Sequence, residues 1–357
     1  MQEKSYVGID MGKKCMQIVR IKDNKQLEWK TCKTDRKGRH ILLNWLKKTD
    51  VIALEAGNLS FLLAKQIIKN VTDQVIVLNP GDLATIYMTI KKTDKEDALK
   101  LARLVMRFSR DELPEVSIPS DREQMMRRLS SEQKYWQTNR TKGINRLHSV
   151  YTQAGITNIC KKDLKTEKNR NTAVIKMPEI YQIEIERLLA EIQLAEKILK
   201  EIDDQITKAL QVSINNTKTI MSIPGMGPIN ALAILAFIGN GDRFSSAKQV
   251  SNYVGLVPKV DISGQSIHYG RIIKRGCGQV KGIIIQAAWA LVRSKYGGEL
   301  TIKYDELRKR KGKKKAIVAI ARKMIELVYH LLKTNQLYNN MPDDVLQKKL
   351  KYYGLTA

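Results

Sequence analysis

Short apolar runs of strand length alternate with segments of helical spacing through the first hundred residues. That alternation limits the possible folds more than any other feature. Ser5–Met11, Cys15–Ile21 and Gln26–Thr31 are separated by turn-forming or polar residues and read as three strands of a meander. Arg36–Lys48 carries Ile41, Leu42, Trp45 and Leu46 at helical spacing. Val51–Glu55 reads as a strand and Ser60–Val71 as a helix. Gln74–Leu78 reads as a fifth strand, stopped by Asn79-Pro80-Gly81. Asp97–Phe108 is again helical. The order β-β-β-α-β-α-β-α predicts a mixed sheet covered by helices.

This is the element order of the ribonuclease H-like fold. Beyond it, Asp121–Gln153 reads as one long basic helix carrying Arg122, Arg127, Arg128, Lys134, Arg140, Lys142 and Arg146. The polar stretch Lys161–Asn171 reads as a linker. Ile185, Leu188, Ile192, Ala195, Leu199, Ile202, Ile206 and Ala209 then recur in steps of three and four. Such a seam suits a coiled coil, and equally an amphipathic helix packed on its own domain. From about Ser213 the chain reads as mostly helical, ending in an amphipathic helix Ala316–Leu332. The expected division is an α/β domain with the long helix (1–155), a linker and coiled coil (156–212), and a helical C-terminal domain (213–357).

The 357 residues include 63 Lys and Arg against 36 Asp and Glu, a formal charge of +27. A field of that sign and size attracts polyanions, nucleic acid above all. Between Ile267 and Lys323 sixteen cations face only Glu299, Asp305 and Glu306, which marks a binding face. Cys15, Cys32, Cys160 and Cys277 form no CxxC pair, so neither a zinc site nor a disulfide framework is expected. The N-terminus lacks a signal-peptide core, and apolar stretches such as Ile283–Val292 are too short to span a bilayer. A cytoplasmic protein without a membrane partner is the expectation.

Four carboxylates stand out. Asp10 falls near the end of the first strand and Glu55 at the end of the fourth, and these strands are neighbours in a ribonuclease H-like sheet. Asp94 and Asp97, three residues apart at a helix start, can face one point. Such a cluster needs cations to offset its repulsion, and hard oxygen ligands suit Mg²⁺ or Mn²⁺. Singly, each has a plainer role: a turn cap at Asp10, a solvated strand end at Glu55, an N-cap and first-turn acid at Asp94 and Asp97. Gly8-Ile9-Asp10 followed by Gly12 also occurs in actin-like ATPases and sugar kinases, but the second glycine-rich phosphate loop they need is missing.

In the C-terminal part, Ile223-Pro-Gly-Met-Gly-Pro228 resembles a helix-hairpin-helix turn. Gly225 and Gly227 there can let backbone N–H groups approach a phosphate, or simply make a tight helix connection. Tyr253-Val-Gly-Leu-Val-Pro258 leads to Ser263-Gly264-Gln265-Ser266 and then to Arg271, Lys274 and Arg275. A serine beside a glycine, flanked by cations, can serve as a nucleophile on a flexible loop, although Ser-Gly pairs in loops are commonplace.

Together these segments resemble the insertion-sequence transposases with an N-terminal DEDD domain and a C-terminal serine domain, the bridge-RNA-guided recombinases. The matching motifs are Gly8-Ile9-Asp10, Leu54-Glu55-Ala56, Lys92–Ala98, Ile223–Ile238 continuing into Gly255–Gly276, and Lys314–Lys323. The resemblance implies a RuvC-like first domain with the metal-binding catalytic tetrad on Asp10, Glu55, Asp94 and Asp97, and a catalytic serine on Ser263. It further implies a homodimer or homotetramer on donor and target DNA, directed by a structured non-coding RNA. The tetrad of one protomer and the serine of another would form a composite site. The cut would pass through a covalent phosphoserine. Ile262 stands where other members have a second serine, and Ser266 lies close by. On the residues alone, two other readings stay open: a junction nuclease that uses water, and a nucleic-acid binding protein without catalysis.

Overall fold

The computed structural model describes residues 4–22, 25–86, 93–174, 179–263, 266–273 and 275–355. Two compact units divide at Ser120 and Asp121.

The first unit runs β1 (Ser5–Met11), β2 (Cys15–Ile21), β3 (Leu27–Lys33), α1 (Arg36–Trp45), β4 (Asp50–Glu55), α2 (Ser60–Asn70), β5 (Val75–Leu78), α3 (Pro80–Ile86) and α4 (Asp94–Arg107). Its five strands lie in the order β3-β2-β1-β4-β5. β1, β2 and β3 pair antiparallel, while β4 joins β1, and β5 joins β4, in parallel. The sheet is mixed and covered on both faces, as the element order predicts and consistent with a ribonuclease H-like DEDD domain. Strand alternation sorts the side chains. Val7, Ile9, Ile18, Ile52 and Leu54 pack with Leu42, Leu63, Ala64 and Ile67 of α1 and α2. Ala53, Ile76 and Leu78 pack with Leu101, Leu104 and Val105 of α4 on the other face.

At one end of the sheet a buried ion pair joins four elements. Asp50 is fully buried at the start of β4 and Arg20 of β2 is 2% exposed. Arg20 donates to both Asp50 oxygens at 3.1 and 2.8 Å, to Glu28 of β3 at 2.8 Å and to the Trp45 carbonyl at 2.9 Å. Its guanidinium also sits 3.7 Å from the centre of the Trp45 ring. The Ser5 hydroxyl and the Lys47 amide complete the shell of Asp50. The ammonium of Lys22, together with Arg20, holds the Glu28 carboxyl down at about 2.

The second unit comprises α5 (Asp121–Gln153), α6 (Glu167–Val174), α7 (Glu179–Gln211), α8 (Ile214–Met221), α9 (Pro228–Phe237), α10 (Ala247–Val254), β6 (Pro258–Ser263), β7 (Ser266–Ile272), α11 (Gly278–Leu291), α12 (Glu299–Lys311), α13 (Lys313–Thr334) and α14 (Asp343–Tyr352). α9 is buried almost all round, from Ala231 to Ala236, and is the centre of the helical core.

Three readings take definite form here. The long helix spans Asp121–Gln153 as read and packs on α7 and α9 within the second unit. The heptad seam of α7 turns inward: Ile192, Leu199, Ile202 and Ile206 are buried within the chain, and Gly143 of α5 gives Ile192 its space. Of the two readings of that seam, packing on its own domain describes these contacts. The stretch read as a linker is partly ordered. It buries Arg170 completely, with its guanidinium 2.6 Å from Glu196 of α7.

Removing Asp50 leaves the Arg20 charge buried without its main partner, which costs about 3–5 kcal/mol in comparable cases. Asp50→Ala is therefore expected to lose that much in urea unfolding. A loss below about 1 kcal/mol, the scale of a surface pair, would contradict this role.

Candidate functional site

The sheet brings two acids to one corner. Ile9 of β1 is opposite Leu54 of β4 in parallel register, so Asp10 and Glu55 follow at adjacent strand ends. Both belong to the face that carries Gly8 and Ala53, the face covered by α4.

α4 supplies the other two. A Cβ on Gly8 would fall onto the carbonyl oxygen of Ala98 and lie 2.5 Å from the Ala102 nitrogen. Gly8, Ala98 and Ala102 are thus small because helix backbone meets strand backbone there. Asp97 immediately precedes Ala98, and Asp94 lies one turn earlier. Thr93 caps the helix, its hydroxyl accepting from the Glu96 amide at 3.3 Å. Acids in the first turn also suit the positive end of the helix dipole.

The four carboxylates share one field. Burial, with the charges of Asp94, Asp97 and Glu55 added, pushes the Asp10 carboxyl up to about 6. The donor set is all hard oxygen and suits Mg²⁺ or Mn²⁺ in kind. Among the described residues, no group of three His, Cys, Asp or Glu is close enough to hold a metal ion. The cluster therefore couples electrostatically without closing into a ready cage.

In the second unit, Ser263 ends β6 and Ser266 begins β7, so the expected loop is the tip of a hairpin. Ser263 is exposed. The Ser266 hydroxyl donates to the Ser263 carbonyl at 2.9 Å, which commits it to the turn. Gly264, Gln265 and Lys274 lie outside the described residues. The neck of the hairpin is pinched by glycines at positive φ. A Cβ on Gly276 would lie 2.8 Å from the Gly255 nitrogen, and Cys277 N–H donates to the Tyr253 carbonyl at 3.0 Å. Lys281 ties the same neck by donating to the Ile273 and Arg275 carbonyls. Arg271 is exposed on β7, five residues from Ser266, or roughly 17 Å at the usual strand rise. It does not stand beside the Ser263 of its own hairpin.

The residues expected to grip nucleic acid mostly have other partners. Arg127 donates to the Ala236 carbonyl at 2.8 Å and lies 4.9 Å from the Phe237 ring. Arg140 pairs with Glu196 and Arg146 with Glu184, joining α5 to α7. Arg128 alone of the four is exposed without an ion pair among the described residues. Gly225, at φ +83°, is small because the Ala287 carbonyl and the Ala290 side chain of α11 approach it. The Gly227 amide donates to Asn230 at 3.1 Å. These glycines are accounted for by helix packing and capping.

Two families of known proteins match parts of the chain. Residues 7–156 match a DEDD transposase family, and residues 217–302 match the Transposase IS116/IS110/IS902 family. In both stretches the chain is thus similar to the DEDD transposases of the IS110/IS116 family. It is 30% identical over 133 residues to the transposase for insertion sequence element IS1111A of Coxiella burnetii, covering 37% of this chain and 36% of that protein. It is 27% identical over 257 residues to a putative transposase, y4rJ, of Sinorhizobium fredii, covering 66% and 64%. The pilin gene-inverting protein of Moraxella bovis is 25% identical over 350 residues, 93% of this chain and 97% of that one. The chain thus spans about a third and just under two thirds of the first two relatives, and nearly all of the third. Among the described residues, no helix is long and apolar enough to cross a membrane.

Because Asp10 binds a proton more readily folded than unfolded, its contribution to stability is complete below about pH 4 and is lost as pH rises through about 6. Asp10→Asn cannot ionise. Its thermal midpoint is expected to exceed that of the metal-free parent at about pH 7.5 and to converge on it near pH 4. Parallel midpoints across that range would contradict the crowded corner.

Proposed function

We propose that the chain is the transposase of an insertion sequence, a DNA-cutting and strand-joining enzyme with a carboxylate centre and a serine nucleophile. The observation that carries this reading is the meeting of β1, β4 and α4 at one corner, where burial, and then the charges of Asp94, Asp97 and Glu55, raise the proton affinity of Asp10. An acidic corner of this kind repels DNA unless it holds divalent cations. Asp10, Glu55, Asp94 and Asp97 are the residues that would hold Mg²⁺ or Mn²⁺. A bound divalent ion supplies Lewis-acid stabilisation of charge on a reacting phosphate.

The serine step falls to Ser263. Its hydroxyl is exposed at the hairpin tip, while that of Ser266 is engaged by the Ser263 carbonyl. The Oγ–P bond forms and the bond from phosphorus to one deoxyribose oxygen breaks. The Oγ proton passes to the departing oxygen. The phosphodiester energy stays in the protein–DNA bond, so the reverse attack rejoins strands without ATP. That economy suits a relative named for inverting a gene, since inversion rejoins what it cuts. Arg271, Lys274 and Arg275 are placed in this reading on the DNA backbone flanking the cut, and the wider basic surface on DNA and a structured guide RNA. The working form is a homo-oligomer holding donor and target DNA, in keeping with the resemblance and the charge of +27.

Asp10→Asn and Glu55→Gln are expected to abolish recombination in a plasmid assay with Mg²⁺ while leaving fold and DNA binding intact. Full recombination by both variants would remove the carboxylate centre from the account.

Ser263→Ala should bind nucleic acid yet form no covalent adduct on a denaturing gel, and Ser266→Ala should form one. An adduct peptide mapping to Ser266 would exchange the two serines. Free cleaved ends without any adduct would replace the transposase by a water-using nuclease, and intact DNA would leave a binding protein only.

A further inference from the structure

α12 and α13 meet at Gly312, which ends the first helix and begins the second at φ +76°. Nothing lies within 4 Å of where its Cβ would be, so the corner stands open to solvent. Both helices are anchored below it. Tyr304 and Leu307 of α12, and Ala316, Ile317 and Ile320 of α13, are buried in the main core. The corner therefore projects from helices that are anchored in the core of the second unit.

Its chemistry is one-sided. Lys309, Arg310, Lys311, Lys313, Lys314 and Lys315 are all exposed. Arg308 has Asp305 at 3.7 Å, and the nearby Glu306 is taken by Lys303 at 3.0 Å. The other six cations form no ion pair among the described residues. Their placement also works against the helix. Cations at the last turn of α12 suit its dipole, but Lys313, Lys314 and Lys315 occupy the first turn of α13, where the dipole is positive. That turn has no acid and no side-chain cap. An anion along the corner would relieve both the crowding and the unmatched amides.

We propose that the α12–α13 corner is a clamp for the phosphate backbone of duplex DNA, independent of sequence. The proposal rests on the reading of this chain as a DNA-acting enzyme and adds where the duplex is held. The cations are long, flexible point charges on two helix ends, with no exposed aromatic among them. A single-strand binder would offer stacking rings. A base-reading element would offer side chains fixed for the grooves. The corner offers charge alone, which suits a backbone.

The test uses the full chain and a random-sequence DNA duplex of about 30 base pairs, with affinity measured across a salt series. The variant carries Lys309→Gln, Lys313→Gln, Lys314→Gln and Lys315→Gln. Each phosphate that is no longer neutralised lowers the slope of log affinity on log salt by about 0.9, so the slope should fall by about 2 to 4. Affinity at moderate salt should fall at least about 10-fold. The thermal midpoint should hold or rise, because three of the four removed charges oppose the α13 dipole and only Lys309 favours that of α12. Two partial variants, Lys309→Gln with Lys311→Gln, and Lys314→Glu alone, should each lose part of the slope, so the answer does not depend on one protein folding. Unchanged slope and affinity overturn the clamp. So does a loss confined to an RNA duplex or to phosphatidylserine vesicles. A parent chain that fails to bind the duplex at all sinks the DNA-acting reading itself. A parent that binds, with variants binding equally well, sinks only the clamp.

Discussion

Gly8 has no Cβ, and the backbone of α4 occupies the place where one would be. That contact sets the distance between helix and strand. It thereby sets where the first turn of α4 lies relative to the end of β1. Without it Asp94 and Asp97 would stand farther from Asp10, and the field that raises the Asp10 carboxyl would weaken. The glycine in Gly8-Ile9-Asp10 is thus as much part of the acidic corner as the acids are. At the other end of the sheet the Arg20–Asp50 pair joins β2, β3, β4 and the α1 end, which holds the strands that present the corner.

Much of the first unit was legible because its periods are clean. Five strands and three of its four helices follow from alternation, helical spacing and the Asn79-Pro80-Gly81 stop, with ends that coincide or differ by up to three residues. The buried Arg20–Asp50 pair was not legible. Nothing local marks a lysine or arginine as buried, and its partner is thirty residues away. The β6–β7 hairpin was missed for another reason. Val260 and Ile262, and Ile267 and Tyr269, do alternate with polar residues, but over runs this short, between glycines and cations, they read as loop.

The basic residues show why charge counts and charge use differ. Along α5 the arginines looked like a continuous face for nucleic acid. Arg127, Arg140 and Arg146 instead spend their donors on a helix end and on acids of α7, which lie fifty or more residues away for the first two and 38 for the third. The cations around Gly312 form no such pairs, and the sequence marked them only as part of a wider basic stretch. Which cations face solvent is decided by tertiary pairing, and composition cannot see that.

The central claim is that four carboxylates crowd one corner because α4 docks on Gly8. The most direct measurement is the carboxyl titration of Asp10 by NMR in the metal-free full chain. The account predicts an apparent value near 6, falling part of the way toward the ordinary carboxylate range in Asp94→Asn/Asp97→Asn, with burial sustaining the remainder. An Asp10 that titrates near 4 in the parent chain, or does not respond to the loss of both α4 acids, would contradict it.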